Sequence, residues 1–550
     1  MQERASAHRG RRWTGLIGTA FALGCWSTGV RAQQVPRLDL GGVIEPGSET
    51  ERYLRILQTI GDIPSRSWSI QPFADRESRQ LLPTQGHPWR ARFVDSAATM
   101  IGPFRVLRSD ARIQLNTGFS TRDLESPAWY GRGLNAQWQG GFVATFGRLR
   151  VQLAPVVWIA QNTTFSMATS TSLFGDPRNG GNIDLPQRFG AGTAGSVDLG
   201  NSAIQLDLPG VYVALSNEQQ RWGPGRTYAL VLSPNAGGFP HFALGTSRPL
   251  NVGIGKVHIR YIAGRLDQSS FMAPTTHSTR LETGAVLSIS PVGLPGLEIG
   301  ATKVSEQWMP PVIDFASLVR PFTGILNHPG AGDANLNLQS ENGLASAFFR
   351  WTIPKSGLDL FGEFFREDFN LDFRGLLEKP DDLGGYMLGM QYATVPSKDR
   401  IQVVRLEVAN GQLSQQEKGQ HGFSPGSDIA LYTHSAVVQG HTQRGELLGA
   451  PDLYGGAGLR VAYENFTPEG RRSVTFQRSL QGQAIPVVTA TGVATRPADV
   501  LYSLRFEQLR FYGGRDYTVT VIPSYNLNRY TIANNDQFNL YIAAGVRGWR

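Results

Sequence analysis

The sequence predicts a membrane-spanning antiparallel β-barrel of about 18 strands, mainly β, with a small N-terminal helical element ahead of it. Three observations carry this. Residues 1–32 are laid out as a cleaved export signal, the chain from about Asp110 onward is written in short period-two segments, and the rest holds no apolar run near the length of a membrane helix.

Composition narrows the classes. The 550 residues include 64 Gly and 32 Pro, with 10% aromatics, which is too ring-rich for a disordered chain and too poor in Gly and Pro for a low-complexity one. The net charge is +8, and only 6 of the 52 basic residues are Lys. Arg forks onto carboxylates and phosphates, so an anionic partner such as acidic sugar or lipid phosphate is one reading of this bias, and a plain compositional preference is the other. The basic residues are scattered singly, without zinc-finger, RNP or helix-turn-helix spacing, so no nucleic acid partner is expected.

The signal is read from three parts. Arg4, Arg9, Arg11 and Arg12 form a positive start, Trp13 to Trp26 is weakly apolar, and Val30-Arg31-Ala32 offers small residues for cleavage after Ala32. The apolar part is shorter than the roughly 20 residues that span a bilayer. Cys25 is the one cysteine, so the mature chain would have none, leaving packing and backbone hydrogen bonds to hold it.

Residues 33–105 read as an N-terminal helical segment. Ser48 and Glu51 fit a capping box, and Tyr53, Ile56, Leu57 and Ile60 recur at helical spacing until Gly61. A second short helix is expected from Asp75 to Leu82, ended by Pro83.

Residues 106–550 read as the barrel. Leu149, Val151 and Leu153 alternate with Arg148, Arg150 and Gln152; Val257, Ile259 and Tyr261 alternate with Lys256, His258 and Arg260; Tyr502, Leu504 and Phe506 alternate with Ser503, Arg505 and Glu507. In a soluble sandwich the polar face would meet water. In a membrane barrel the apolar face meets lipid and the charged face lines the lumen. Trp129, Tyr130, Trp158, Tyr454, Tyr512, Tyr525 and Tyr530 stand near segment ends, where interface girdles are expected. Dividing roughly 440 residues by about 24 per strand and connection gives about 18, an even number as bacterial single-chain barrels require.

Several residues invite chemistry. Trp222-Gly223-Pro224-Gly225 sets a flat ring before a turn in which two glycines permit positive φ, and an indole face can stack on a sugar ring; a girdle Trp beside a tight loop is the plainer reading. Asn235, near Ser233, could meet sugar hydroxyls or cap a turn. Glu363, Arg366, Glu367 and Asp368 crowd one strand end, and an ion-pair lattice with neighbouring Arg is expected in preference to paired catalytic acids, since adjacent strand residues face opposite ways. His421, His434 and His441 lack metal-motif spacing, so no metal or other cofactor is expected. No nucleophile elbow, Walker loop or dinucleotide fingerprint occurs, and the chain is not expected to be an enzyme.

Four stretches carry a family likeness. They are YLRILQTIGDIPSRSWSIQPF from Tyr53 to Phe73, RWGPGRTYALVLSPNAGGFP from Arg221 to Pro240, LDLFGEFFRED from Leu358 to Asp368 and GHTQRGELLGAPDLYGG from Gly440 to Gly456. Together they resemble the capsule assembly Wzi family over almost the whole mature chain. Arg221 stands where the family has an aromatic residue before the Trp, and the chain ends Gly548-Trp549-Arg550 instead of on an aromatic.

The resemblance implies an outer-membrane barrel with a periplasmic helical element that retains or assembles surface polysaccharide. Candidate ligand-binding residues are Arg221, Trp222, Asn235, His441 and Arg444, with Gly223, Pro224 and Gly225 as the motif turn. The expected partners are outer-membrane lipid and a surface polysaccharide, acidic if the Arg bias is meaningful, and a monomer is expected. The alternative is a porin or substrate-specific channel for small solutes or sugars.

Overall fold

The computed structural model describes residues 33–35, 44–73, 86–94, 98–101, 103–121, 127–168, 183–272, 275, 277–323, 341–367, 373–413, 430–434, 436–482, 485–489 and 492–549. The expected signal at 1–32 and the expected helix from Asp75 to Leu82 lie outside these residues.

The strands form one closed antiparallel ring. β1 runs as Phe104–Val106 and Ser109–Asn116, β2 as Gly133–Gln139 and Phe142–Phe146, β3 as Leu149–Leu153 and Val156–Ala160, and β4 as Ala194–Asp198 and Ala203–Asp207. The chain continues with β5 (Val211–Ser216), β6 (His241–Thr246), β7 (Gly255–Asp267), β8 (Thr279–Pro291) and β9 (Leu297–Trp308). Then follow β10 (Glu341–Ile353), β11 (Leu358–Glu367), β12 (Gly384–Ser397), β13 (Arg400–Asn410) and β14 (Ala457–Thr467). The last are β15 (Gly470–Gly482), β16 (Asp499–Tyr512), β17 (Arg515–Leu527) and β18 (Gln537–Trp549).

Each pairs with the next, and β18 returns to β1 with Tyr541 opposite Asn116 and Trp549 opposite Ser109. Among the described residues the ring therefore has eighteen strands, as the length arithmetic anticipated. Closure pairs each of the eighteen strands on both sides, which is the condition for a sheet in lipid; two short strands, Ala98–Ile101 and then Gln33–Val35, add onto Phe104–Val106 beside the ring.

The ring is polar inside and apolar outside. Leu149 and Leu153 are 37% and 39% exposed, whereas Arg150 and Gln152 beside them are 2% and 4% exposed. Likewise Ile259 is outward and exposed between buried His258 and Arg260. A water-soluble sandwich has the opposite polarity, so this inversion decides for a barrel in lipid.

Short turns lie at one end of the ring. Tyr512 pairs with Arg515 across Gly513 and Gly514, whose φ values of 56° and 73° suit a two-residue turn that matches strand twist. The long connections lie at the other end. The girdle expectation holds in part: Tyr512 and Tyr525 are exposed and Trp158 is half-buried, but Trp129, Tyr130, Tyr454 and Tyr530 are buried. Their connections fold over or into the lumen and take the rings inward.

The expected helix, α1, spans Glu49–Ile60, with Ser48 as N-cap accepting from Glu51 and Gly61 as left-handed C-cap. It does not stand apart from the barrel. Tyr53, Leu54, Ile56 and Leu57 are wholly buried against inward residues of the wall, among them Ala393, Val403 and Phe466. Trp89 fixes the level: its indole N–H donates to the carbonyls of Thr467 and Gly470 at 3.1 and 3.3 Å, at the β14–β15 turn. The helix thus occupies the short-turn end of the lumen.

Candidate functional site

The described residues of two long connections turn inward and pack in the lumen above α1. The first joins β5 to β6 and carries the Trp-Gly-Pro-Gly motif; the second joins β13 to β14. Their apolar residues, including Tyr228, Leu230, Leu232, Tyr432, Leu448 and Leu453, share one buried cluster with inward wall residues such as Phe361 and Met387. We refer to these two connections as the plug.

Arg221 anchors the first segment to α1. Arg221 and Trp222 pair antiparallel with Gln71 and Ile70, and Arg221 Nη1 donates to Glu51 Oε1 and Oε2 at 3.1 and 2.8 Å. Glu51 also accepts from Arg55 at 3.2 Å and Gln71 at 3.0 Å. Burial alone would raise the Glu51 carboxyl, but Arg221 and Arg55 outweigh it and hold the group down to about 2.

Trp222 has no exposed surface, and its ring lies on Gly284 of β8, where an added Cβ would come within 2.9 Å of it. It packs the plug onto the wall and presents no face to solvent. In the motif turn, Gly223 has φ of 115° and its N–H donates to Ser69 at 2.8 Å, while Pro224 accepts from Arg55 at 2.6 Å. Both glycines permit positive φ, and Gly223 alone of the two adopts it. Gly225 is required for space, since a Cβ there would meet the Tyr228 carbonyl and Met387.

Asn235 and His441 join the two plug segments. Asn235 Nδ2 donates to the Leu447 carbonyl at 2.7 Å, and neighbouring Ser233 donates to Gly449 at 2.8 Å. His441 lies between Glu306 Oε1, 2.6 Å from Nδ1, and the Val231 carbonyl, 2.7 Å from Nε2. Both residues are buried.

Arg444 stands apart. It sits with Gly445 at the tip of a small hairpin pairing Thr442 with Leu447 and Gln443 with Glu446, both tip residues having positive φ. Its guanidinium is about half exposed and reaches Asp198 at 3.4 Å and Asp267 at 3.5 Å, at the long-connection end of β4 and β7. The structure therefore brings Arg221, Trp222, Asn235 and His441 into the plug and leaves Arg444 at the surface.

At the strand end where an ion-pair lattice was expected, Glu363 and Glu367 also recognise backbone amides. Glu363 accepts from the N–H of Leu230 at 3.2 Å and Glu367 from that of Tyr432 at 2.6 Å; Glu407 does the same for Thr227 at 2.8 Å. The plug carries unpaired backbone donors into the lumen, and wall carboxylates facing it satisfy them. Arg366 donates to the Lys379 and Pro380 carbonyls and lies 3.9 Å from Asp382, one ion pair of the expected kind. Asp368 and His421 lie outside the described residues. Arg lattices occur elsewhere on the wall, as where Arg405 meets Glu464 at 3.1 Å and Arg471 meets Glu507 at 3.3 Å.

Sequence reasoning passed over these wall acceptors as ligands of the plug. Their signal is an acid on the lumen parity of a strand, and that parity does not say what will face it.

Comparison with known proteins gives one family and one fold. The family model described as capsule assembly protein Wzi matches residues 127–463, more than half of the chain. No curated protein matches the sequence. Among solved structures, an Escherichia coli protein described as Wzi, an outer membrane protein involved in group 1 capsule assembly and a carbohydrate-binding β-barrel, aligns with a TM-score of 0.62. It is 15% identical, with 92% of this chain and 99% of that one covered. A BenF-like porin from Pseudomonas fluorescens aligns at 9% identity over 81% of this chain and 98% of that one, with a TM-score of 0.39.

Proposed function

The chain belongs to the capsule assembly Wzi family, and from that premise we propose that it is an outer-membrane barrel that binds, retains or helps assemble capsular or exopolysaccharide at the cell surface. The solved Escherichia coli relative is described as carbohydrate-binding, which supports the same reading here. Short turns of outer-membrane barrels face the periplasm, so α1 lies at the periplasmic end and the Arg444 hairpin at the cell surface.

The observation that carries the reading is the filled lumen. A diffusion porin keeps a continuous wet path, whereas here α1 and the plug share two buried apolar, aromatic-rich clusters with the wall. Beside them lie cavities that include two of about 180 and 100 Å³ with Arg-rich linings, Arg52 and Arg505 bordering both. Such a barrel suits a surface receptor better than a channel.

Roles divide accordingly. Arg221, Trp222, Asn235 and His441, with the Gly223-Pro224-Gly225 turn, set the plug and so the shape of the outer face. Arg444 is the member of the set placed to contact an acidic sugar directly, its charge presented from a fixed hairpin. No catalytic step is assigned to any of them.

The test is Arg444→Ala in cells that make surface polymer, read with a glycan array on the purified barrel. Loss of retained polymer and of array binding, at normal insertion, is the expected result. A large stable open pore in planar bilayers, without glycan binding, would overturn the proposal in favour of a porin.

A further inference from the structure

Among the described residues, one buried polar cluster lies away from both cavities, where the plug meets β8 and β9. Strand register sets Glu282 directly opposite Glu306, and Glu306 directly opposite Asn342 of β10. All three side chains are wholly buried, as is His441, which caps the row from the plug. The Glu282, Glu306 and His441 ligand atoms lie within 4.8 Å of one another.

Two carboxylates facing each other across a strand pair repel, and burial sharpens the repulsion. The hydrogen bonds available do not relieve it. His441 donates from Nδ1 to Glu306 Oε1 and from Nε2 to the Val231 carbonyl, but among the described residues neither oxygen of Glu282 meets a hydrogen-bond donor, nor does Glu306 Oε2. Arg280, on the same strand face, is 3.7 Å from Glu306, yet its two terminal nitrogens are committed to the carbonyls of Gly440 and Thr442, each at 2.5 Å. A fully buried carboxyl with no donor on either oxygen is rare in a native interior, and it is met there either by a proton held on the carboxyl or by a bound cation.

We propose that Glu282, Glu306 and His441 bind one divalent transition cation of the zinc or manganese class. The ring orientation fits: His441 Nε2–H is fixed on the Val231 carbonyl, the outer-sphere bond that metal-bound histidines commonly make, and this aims Nδ1 at the carboxylate pair. One imidazole nitrogen with two carboxylates, and no thiolate, suits zinc or manganese; calcium and magnesium take all-oxygen shells. The cation displaces the Nδ1 proton and replaces its single hydrogen bond with bonds to all three residues. It thereby ties two wall strands to the second plug segment and, through Val231, to the first. Its role is to lock the plug in the lumen, a function separate from polysaccharide contact at the surface.

The experiment uses folded, detergent-purified full-length protein, stripped with EDTA, loaded with Zn²⁺ and dialysed before elemental analysis. About one zinc per chain is expected in the wild type, and at least ~10-fold less in Glu282→Gln, with the barrel of both still resistant to SDS at room temperature. Co²⁺ in place of zinc should give visible absorption bands that the same substitution abolishes. Folded wild type that holds less than about a tenth of an equivalent would overturn the proposal, as would Glu282→Gln that holds as much as wild type. Should Glu282→Gln fail to fold, His441→Gln gives the same comparison.

Discussion

Arg221 and Glu51 form a buried ion pair, 2.8 Å between Nη1 and Oε2, that joins the first plug segment to a helix 170 residues earlier in the chain. It is the covalently distant contact on which the seating of α1 under the plug turns. The family likeness placed Arg221 where an aromatic is usual, and the structure supplies the reason a cation is tolerated there. Glu51, already turned inward by the N-terminal capping of α1, is waiting for it.

Removing one partner strands the other charge in a dry site. Glu51→Gln or Arg221→Met alone should destabilise the seated plug by about 3–5 kcal/mol, and the double substitution by clearly less than the sum of the two. The temperature at which the barrel loses SDS resistance, measured for the full cycle, checks this.

The same pair gives a pH dependence with a definite sign. Glu51 is held at about 2 in the folded chain against an ordinary value of 4.5. Its contribution, on the order of 3 kcal/mol, is therefore complete above about pH 4.5 and is lost as pH falls toward 2. Protease accessibility of the α1 segment should rise over that window in wild type. In Glu51→Gln the step should be absent.

Trp222→Ala should leave a large cavity under the plug, with a loss of about 3–5 kcal/mol in plug packing, while the eighteen-strand ring inserts normally because its ladder does not involve the indole. Planar-bilayer recordings should show larger or more frequent openings than wild type. Gly284→Ala should act in the same direction, since its added methyl would press on the Trp222 ring at 2.9 Å.

Arg444→Ala should change thermal stability by less than about 0.5 kcal/mol, because its two carboxylate contacts are long and solvent-screened. Its effect should appear in retained surface polymer instead. A Trp222→Ala, Arg444→Ala double variant separates the two roles: the plug phenotype should follow the first substitution and the polymer phenotype the second.

The amino-acid sequence by itself determined the parts of this protein that local chemistry dictates. Period-two alternation, with Arg150 and Gln152 set between Leu149, Val151 and Leu153, specified a sheet with one greasy and one ionic face, and chain length then fixed about how many strands could close it. Ser48, Glu51 and Gly61 fixed the ends of α1 in the same local way.

What only the tertiary structure decided is which polar groups meet. Strand parity turns Glu282, Glu306, Glu363 and Glu407 inward, but whether each finds an arginine, a backbone amide or a cation depends on register and on two long connections folding back into the lumen. That is why Trp222 became a packing residue inside the lumen, neither a girdle ring nor a sugar platform, and His441, a candidate ligand in the sequence, a cap over two glutamates. Those contacts join residues far apart in the chain, up to 210 positions for His441 and Val231, or cross between strands, and no short-range pattern encodes them; the free energy of filling the lumen does.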